Sequence, residues 1–347
     1  MRRKTTPTKS LRVVVLCQHD LIPPDEVPEG VDKTTQRWRT EYDVVTALKG
    51  MGHEVYPVGL SNELGIIHVA IDDYRPHVAF NLIEEFDGYP LFDQHVVSYL
   101  ELKGQKYTGC NPRGLTLSHD KALAKKILTY HRIPVPQFAV FPLGRKVRRR
   151  PARLKFPLLV KSATVEGSVG ISQASVVRGD AELAERVEFI HRKTSSDAIA
   201  EQYIEGREIY VGLMGNRRVQ TFAPWEHRLE NLPEGAPNIA TYRVKWDPVY
   251  QREVGFADGP AGLPPELARR LEHLSKRVYR ILWLSGYARL DYRLTPDGRF
   301  YLIEANPNPN VARDDYFSDS AKKSGLDYEP LLQRLMTLGM NYDATQF

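Results

Sequence analysis

Residues 291–310, DYRLTPDGRFYLIEANPNPN, read as two strands joined by a turn at TPDG. With Leu294 opposite Arg299, paired positions sum to a constant, so Asp291 faces Leu302 and Arg289 faces Glu304 across the hairpin. Side chains two apart share a face, and on this register Arg289, Asp291, Glu304 and Asn306 project from the same side of the sheet. A bulge would shift one strand by a residue and break that arrangement. Two carboxylates and an amide oxygen on one face repel each other and call for a cation. Hard oxygen donors select magnesium or manganese over zinc, and magnesium is commonly held by one or two carboxylates together with substrate phosphates. The stretch therefore points to a metal–nucleotide site, although an acid-bearing hairpin read alone is also what an exposed strand with solvated charges looks like.

The helix PELARRLEHLSKRVYRILWLSG precedes the hairpin and is expected to end at Gly286. It sets Leu267, Leu271, Leu274, Val278, Ile281 and Leu282 at spacings of three and four, a core stripe rather than chemistry. Before it, REIYVGLMGNRRVQTF reads as two strands joined at Gly215-Asn216, followed by a polar, proline-bearing loop to about Tyr250. A middle segment begins at Ser118, the expected N-cap of the helix DKALAKKILTYHR, which Pro134 stops. It continues through FAVF, the basic stretch RKVRRRPARLK (145–155), the strand PLLVK ending on Lys161, a turn with Gly167 and Gly170, a helix around AELAERVEFIHRK, and AIAEQYI. In this segment Lys161 at a strand end can reach a phosphate, the two glycines let backbone N–H groups approach one, and Glu201 and Glu208 flank a short connection fit to contact adenine and ribose.

Residues 11–118 alternate strand-like and helix-like stretches, VVVL, TEYDVVTALKGMG, EVYPV, HVAFNLI and LFDQHVVSYLELKG, with Gly50 and Gly104 at the helix ends. Alternation of this kind implies an open, mostly parallel sheet whose functional loops lie at the carboxyl ends of the strands. Those loops carry Gln18 to Asp20 and then Glu84, Glu85 and Asp87. The expected architecture is thus α/β and α+β: an N-terminal α/β domain over 1–118, a central α+β subdomain over 119–205, and a C-terminal subdomain with the metal site over 206–347.

Composition fits this division. A chain of 347 residues, 42% hydrophobic, can bury more than one core. A net charge of +5 with 26% charged residues argues against a disordered tail protein and a dedicated nucleic-acid binder, and the stretch 145–155 reads as a solvated loop. Cys17 and Cys110 form neither a disulfide framework nor a metal pattern, which fits a reducing, cytoplasmic setting. The start MRRKTTPTKSLRVVVLCQHD has the outline of a signal peptide, but its apolar run is too short and no small-residue cleavage site follows. No window approaches the length that spans a bilayer.

The order and spacing of PLLVKSATVEGSVGIS, EQYIEGREIYV and ARLDYRLTPDGRFYLIEANPNPN resemble the ATP-grasp superfamily, and most closely the D-alanine–D-alanine ligase-like carboxylate–amine ligases. The likeness runs from about Asp120 to Asn310 and implies the ATP-grasp fold, with two α+β subdomains enclosing ATP. By it, Lys121 and Lys161 hold ATP phosphates, with Glu166, Gly167 and Ser168 in the loop beside them. Glu201, Gln202 and Ile204 form the hinge that reads adenine, and Glu208 holds the ribose. Lys245 belongs to the mobile loop over the phosphates, with Trp246 where the ligases usually carry tyrosine. Asp291, Glu304 and Asn306 match ligands of magnesium or manganese, two ions being implied; Arg289 matches the arginine that stabilises the transition state, and Ser168 a serine near the acyl group. The implied reaction activates a carboxylate as an acyl phosphate, which an amine then attacks, under a loop that excludes water. A homodimer formed through the N-terminal domain is implied as well.

The likeness fails at the substrates. Such ligases carry a glutamate and spaced serines after the first strand, where this chain has QHDLIPPDEVPEGVDKTTQRW; of their histidine-bearing glycine-acidic loop only Glu85, Asp87 and Gly88 remain. After Asn306, NPNPNVARDDYFSDSAKKSGLDY replaces a small, serine-bearing stretch. A different amino-acid or peptide substrate is expected, its amino groups contacted by Asp314, Asp315 or Ser318 together with Glu84 or Glu85. Two alternatives stand beside a ligase: an enzyme of this fold with a thiol or hydroxyl acceptor, and a nucleotide-binding protein that has lost catalysis. The second is disfavoured because Lys121, Lys161, Arg289, Asp291, Glu304 and Asn306 are all present.

Overall fold

The computed structural model describes residues 10–147 and 150–346, so the tail read ahead of the first strand and part of the basic stretch 145–155 lie outside the described residues. Its first sheet is parallel, in the order β2-β1-β3, from β1 (Arg12–Gln18), β2 (Glu54–Leu60) and β3 (Val78–Asn81). The valine run of β1 is buried on both faces. Val13 and Val15 pack into one apolar cluster with residues of α1 (Arg39–Gly50), while Val14 and Leu16 join another with residues of α2 (Gly65–Tyr74) and α3 (Asp93–Leu102). Pro57 sits in β2 at the sheet edge, where a missing N–H leaves no ladder bond unmade.

Two helices lead to the second sheet, α4 (Pro112–His119) and α5 (Lys121–Tyr130). Ser118, read as the N-cap of α5, instead belongs to α4. The cap is Asp120, whose carboxylate accepts from the N–H groups of Ala122 and Leu123 at 2.9 Å each. This sheet is antiparallel in the order β4-β7-β5-β6, from β4 (Phe138–Phe141), β5 (Leu158–Ser162), β6 (Val176–Val177) and β7 (Ala198–Gln202), with α6 (Asp180–Thr194) packed against it through Leu183, Val187 and Ile190.

The third sheet is antiparallel in the order β11-β10-β8-β12-β13, with β9 paired to β8. Its strands are β8 (Arg207–Met214), β9 (Gln220–Thr221), β10 (Trp225–Leu229), β11 (Phe256–Pro260), β12 (Tyr287–Leu294) and β13 (Phe300–Pro307). β10 lies inside the segment read as a loop. That segment also holds α7 (Tyr242–Trp246), followed by α8 (Pro248–Glu253). The leucine stripe of α9 (Pro265–Ile281) covers one face of this sheet, where Leu271 and Val278 meet Ile209, Val211, Leu290 and Tyr292. Burial of such side chains contributes about 1.5–3 kcal/mol each. α9 ends at Ile281, five residues short of Gly286. Gly286 is needed elsewhere: with φ at +65° it lies so close to Gly109 that a Cβ would stand 2.2 Å from the Gly109 carbonyl oxygen. Beside this contact the Cys110 N–H donates to Asn308 Oδ1 at 2.7 Å and the Asn111 N–H to Ser285 Oγ at 2.9 Å. The chain closes with α10 (Tyr316–Lys323) and α11 (Tyr328–Met340), the latter in the cluster that holds Val13 and Val15.

The hairpin register differs from the sequence expectation in two ways. The turn is longer, with Leu294 opposite Phe300 and the Thr295 N–H donating to the Arg299 carbonyl at 3.0 Å. Continued unbroken, that pairing would set Asp291 opposite Ile303, so that Asp291 and Glu304 would face opposite sides. A bulge between Asp291 and Tyr292 shifts the register so that Asp291 pairs with Glu304 and Arg289 with Asn306. The bulge therefore restores the shared face instead of breaking it. The ammonium of Lys125, on α5, donates to the carbonyl of Ile303, the residue the bulge leaves unpaired.

Candidate active site

β8, β12 and β13 present one polar face on the side away from α9. Strand pairing sets Glu208 beside Arg293, Tyr210 beside Asp291, and Asp291 beside Glu304. Arg289 grips Asp291 with two parallel bonds, Nε to Oδ1 at 2.6 Å and Nη2 to Oδ2 at 2.9 Å, and also donates to the Tyr316 hydroxyl. Asn306 Nδ2 donates to Asp291 Oδ2 at 3.0 Å. Burial raises the carboxyl pKa of Asp291, outweighing the pull of Arg289 in the other direction. Glu304 behaves oppposite to its neighbour. Burial acts to raise its pKa too, but Lys121 and Lys161 overcome that and hold it well below the usual carboxylate range.

The facing wall comes from the second sheet and α5. Lys121 lies 2.8 Å from Glu304 Oε1, and burial, which would lower its pKa, is outweighed by Glu304 and Glu166. Lys125, one helical turn on, shares that face of α5. It stands 3.3 Å from Glu201 Oε1, and Lys161 stands 3.5 Å from Glu201 Oε2. Burial pushes Lys125 down to about 8. Between the walls runs the connection from β7 to β8, where the Gln202 N–H bonds the Gln137 carbonyl at 2.7 Å and Arg293 ties the Gly206 carbonyl (3.0 Å) to Glu208 (2.7 Å). Glu208 is thereby held below its ordinary pKa, Arg293 prevailing over burial.

A cleft with about 670 Å³ of empty volume, open solvent at its mouth included, lies between these walls. Lys161, Ser168, Glu201, Gln202, Ile204, Glu208, Lys245, Asp291 and Glu304 line it, and Leu159, Tyr203, Ile239 and Ile303 give it apolar patches. Such a mixture suits a small polar ligand with an aromatic part. Residues 238–246 form its cover. Ser168 Oγ donates to the Ala240 carbonyl at 3.0 Å, the Tyr242 N–H to the Ile171 carbonyl at 3.1 Å, and Trp246 Nε1 to the Gly167 carbonyl at 3.2 Å.

The family model for the D-ala D-ala ligase C-terminus matches residues 127–337, more than half of the chain. A D-alanine–D-alanine ligase of Nitratidesulfovibrio vulgaris is 31% identical over 87% of this chain and 95% of its own length. The chain belongs to the D-alanine–D-alanine ligase family. With membership come the ATP-grasp fold and the enzyme class, ligases that form a carbon–nitrogen bond with ATP. An uncharacterized protein of Sinorhizobium fredii is 29% identical over 90% of this chain and 89% of its own. The crystal structure of the D-alanine–D-alanine ligase from Bacillus anthracis complexed with ATP shares the fold, with a TM-score of 0.72 and 22% identity over 96% of this chain and 98% of that one.

The residues singled out in the sequence fall into two groups, those given by the family resemblance and those expected at the substrates from the placement of their loops. Nine line the cleft; Lys121, Arg289 and Asn306 join it through Glu304 or Asp291, and Glu166 and Gly167 lie in its glycine loop. The expected substrate residues lie apart from the cleft lining. Glu84 stays open to water although protein surrounds it on most sides, and burial, Glu166, Glu85, Asp93 and Asp315 together push it up to about 7. Asp315 caps α10 and is pushed up to about 6 by burial. Glu85 is half-buried, Asp87 and Asp314 are exposed, and Ser318 is buried with its hydroxyl given to the Val311 carbonyl at 3.4 Å. Sequence reasoning missed Lys125, Arg293, Tyr316 and His227, the last on β10 with its ring centroid 4.3 Å from that of Tyr210. The spacing of Lys125 from Lys121 and of Arg293 from Asp291 contained the signal for the first two. Among the described residues no group of three or more His, Cys, Asp or Glu side chains gathers as a metal site, and no helix is long and apolar enough to cross a membrane.

Proposed function

We propose that the protein is an ATP-dependent ligase that joins the carboxylate of an amino acid or peptide to an amine through an acyl phosphate, with a carboxylate donor other than D-alanine. The observation that carries this reading is the single face on which Asp291 and Glu304 pair across strands, with Arg289 fixed on Asp291 and Lys121 on Glu304. The adenine lies against the connection formed by Glu201, Gln202 and Ile204, and the ribose hydroxyls on Glu208. Lys121, Lys161 and Lys245 balance the phosphates, with N–H groups of the loop Glu166–Gly167–Ser168 beside them.

The donor set fits a hard divalent cation. Asp291 and Glu304 offer carboxylate oxygens, and Asn306, whose Nδ2 is used on Asp291, keeps its Oδ1 for another partner. Two carboxylates and an amide leave room for phosphate oxygens, as expected for magnesium or manganese and for two ions. When bound, the metal neutralises charge on the transferring phosphoryl group. The chain's own residues do the rest. Arg289, held rigid by Asp291 and Tyr316, sits ready for the oxyanion formed as the amine attacks, and a donor placed before the reaction needs no reorganisation during it. Residues 238–246, with Trp246 on Gly167, keep water from the acyl phosphate. Glu85 and Asp315 meet the amino groups of the substrates. The division into 1–118, 119–205 and 206–347, a cytoplasmic location and a homodimer belong to the same reading.

Phosphate release from ATP with magnesium, screened over D- and L-amino acids singly and in pairs with mass analysis of the products, tests it. Release that needs a pair and yields a condensed mass is expected. An ester or thioester product would replace the amine acceptor, and ATP binding without release for any pair would overturn the ligase.

A further inference from the structure

The carboxyl end of the first sheet holds acceptors that the reaction described so far does not use. Glu41 stands in the first turn of α1 and is only 4% exposed, yet its Oε2 has no hydrogen-bond partner. Gln18, the last residue of β1, has a buried Oε1 in the same condition. Both orphan atoms are acceptors, so what they lack is a donor. Glu84, following β3 in the same sheet, contributes a further carboxylate, close enough that it and Glu41 each feel other acids of this end: Glu84 and Asp20 act on Glu41, and Glu166, Glu85 and Asp93 act on Glu84.

The cations of this region are committed elsewhere. Arg37 lies 2.8 Å from Asp20, Lys33 2.5 Å from Asp43, and Arg39 gives its guanidinium to the Arg313 carbonyl and lies 3.9 Å from Asp43. Glu41 and Glu84 have no ion-pair partner among the described residues. Burial, with Glu84 and Asp20 adding to it, outweighs its own backbone N–H and the distant pull of Arg37 and pushes Glu41 up to about 7, the mark of a carboxylate kept without a close counter-charge. A metal ion is not the missing cation, because no three such side chains converge among the described residues. What fits two separated carboxylates and an amide oxygen is an ammonium group with several N–H donors. With Glu85 and Asp315 meeting the ordinary amino groups, Glu84 is left for this one.

We propose that Gln18, Glu41 and Glu84 bind a second ammonium group on the carboxylate donor, which is therefore a diamino acid rather than alanine or another neutral amino acid. The proposal rests on the ligase reading given above. Preference is its signature, since a site that hydrogen-bonds a substrate group rejects analogues that lack it far more strongly than an apolar pocket rejects a missing methylene.

The test traps the acyl phosphate with hydroxylamine, using full-length protein, magnesium and ATP, and measures hydroxamate from each donor. The donors are alanine and serine against 2,3-diaminopropionate, ornithine and lysine, in both configurations. At least one diamino acid is expected to exceed alanine by about 100-fold or more in kcat/KM. Glu41→Gln should cut that preference to about 10-fold or less, mainly through KM, with ATP affinity as the folding control. Hydroxamate from neutral donors at rates equal to or above every diamino acid overturns the second ammonium while leaving the ligase standing. An unchanged preference in Glu41→Gln, with Glu84→Gln as the replacement should the first variant fail to fold, also overturns it. Hydroxamate from no donor overturns the ligase reading and the proposal together.

Discussion

Replacing Arg293 with methionine separates the value of an ion pair from the cost of an abandoned charge. Arg293 Nη2 and Glu208 Oε2 are 2.7 Å apart, with side chains only 7% and 16% exposed, and Nη1 also holds the Gly206 carbonyl. On an open surface such a pair would be worth about 0–1 kcal/mol. Here, removal of the arginine strands a carboxylate inside the protein, which costs about 3–5 kcal/mol. The Tyr210 hydroxyl still donates to Glu208, and Lys245 and His227 still act on it, so the expected loss lies near the lower end, about 3 kcal/mol. The double variant Arg293→Met/Glu208→Gln carries no charge at this point and should regain at least about half of that loss, a coupling a double-mutant cycle reads directly. Urea unfolding of the wild type, both single variants and the double variant supplies the four energies. Acid should help the single variant: without Arg293, burial raises the Glu208 pKa, and a protonated Glu208 no longer needs a partner, so the deficit shrinks as pH falls toward 4.5. A loss under about 1 kcal/mol, or a double variant no more stable than Arg293→Met, would refute the reasoning.

Three further outcomes follow from the same physics. For Lys125→Met, the fall of the lysine pKa from 10.5 to about 8 amounts to about 3 kcal/mol against its charged form, close to the roughly 1.5–3 kcal/mol of its bond to the Ile303 carbonyl. Lys161 still stands 3.5 Å from Glu201 Oε2, so the buried carboxylate that Lys125 also touches keeps a counter-charge; stability should therefore change by less than about 1 kcal/mol while ATP turnover falls because the bulge is no longer seated, and an unfolded variant or full turnover contradicts this. His227 is buried and pushed down to about 4, so between that value and about 6.5 the unfolded chain binds the extra proton and stability attributable to this residue rises with pH. His227→Phe should remove an average slope of about 1 kcal/mol per pH unit, measured as the wild-type-minus-variant difference in unfolding energy between pH 5 and 6.5. Trp246→Ala frees the cover from Gly167 and should raise phosphate released per amide formed several-fold, with stability changed by about 1 kcal/mol at most; an unchanged ratio would show that the cover closes without Trp246.

Much of this molecule was legible because its cues are local. Alternation along β12 and β13 put Arg289, Asp291, Glu304 and Asn306 on one face, and strand-to-helix switching marked the parallel sheet. The register was not legible, because the bulge that sets it is held by Lys125 from a helix more than 170 residues earlier in the chain. The cap of α5 was missed by two residues for a simpler reason: Ser118 and Asp120 are both good caps, and only the end of α4 at His119 decides between them. β10, in WEHRL, has too few apolar residues to stand out as a strand; it is recruited by pairing with β8 on one side and β11 on the other. Glu41 looked like any polar residue at the start of a helix, and only the packed structure shows it buried with an unpartnered oxygen.

The contact between Gly109 and Gly286 has a consequence for how such an enzyme diversifies. It is made of main chain with φ angles of +98° and +65°, flanked by bonds from the Cys110 and Asn111 N–H groups, and involves no side chain of the parallel sheet. Because the joint grips backbone, the loops around Gln18, Glu41 and Glu84 can be rewritten without disturbing the placement of Asp291 and Asn306. Chimeras that exchange only the loops after β1 and β3 for those of a relative, leaving the α1 contacts to Asn310 and Arg313 in place, should align as long as both glycines are kept, whereas a single methyl at either position would disable parent and chimera alike.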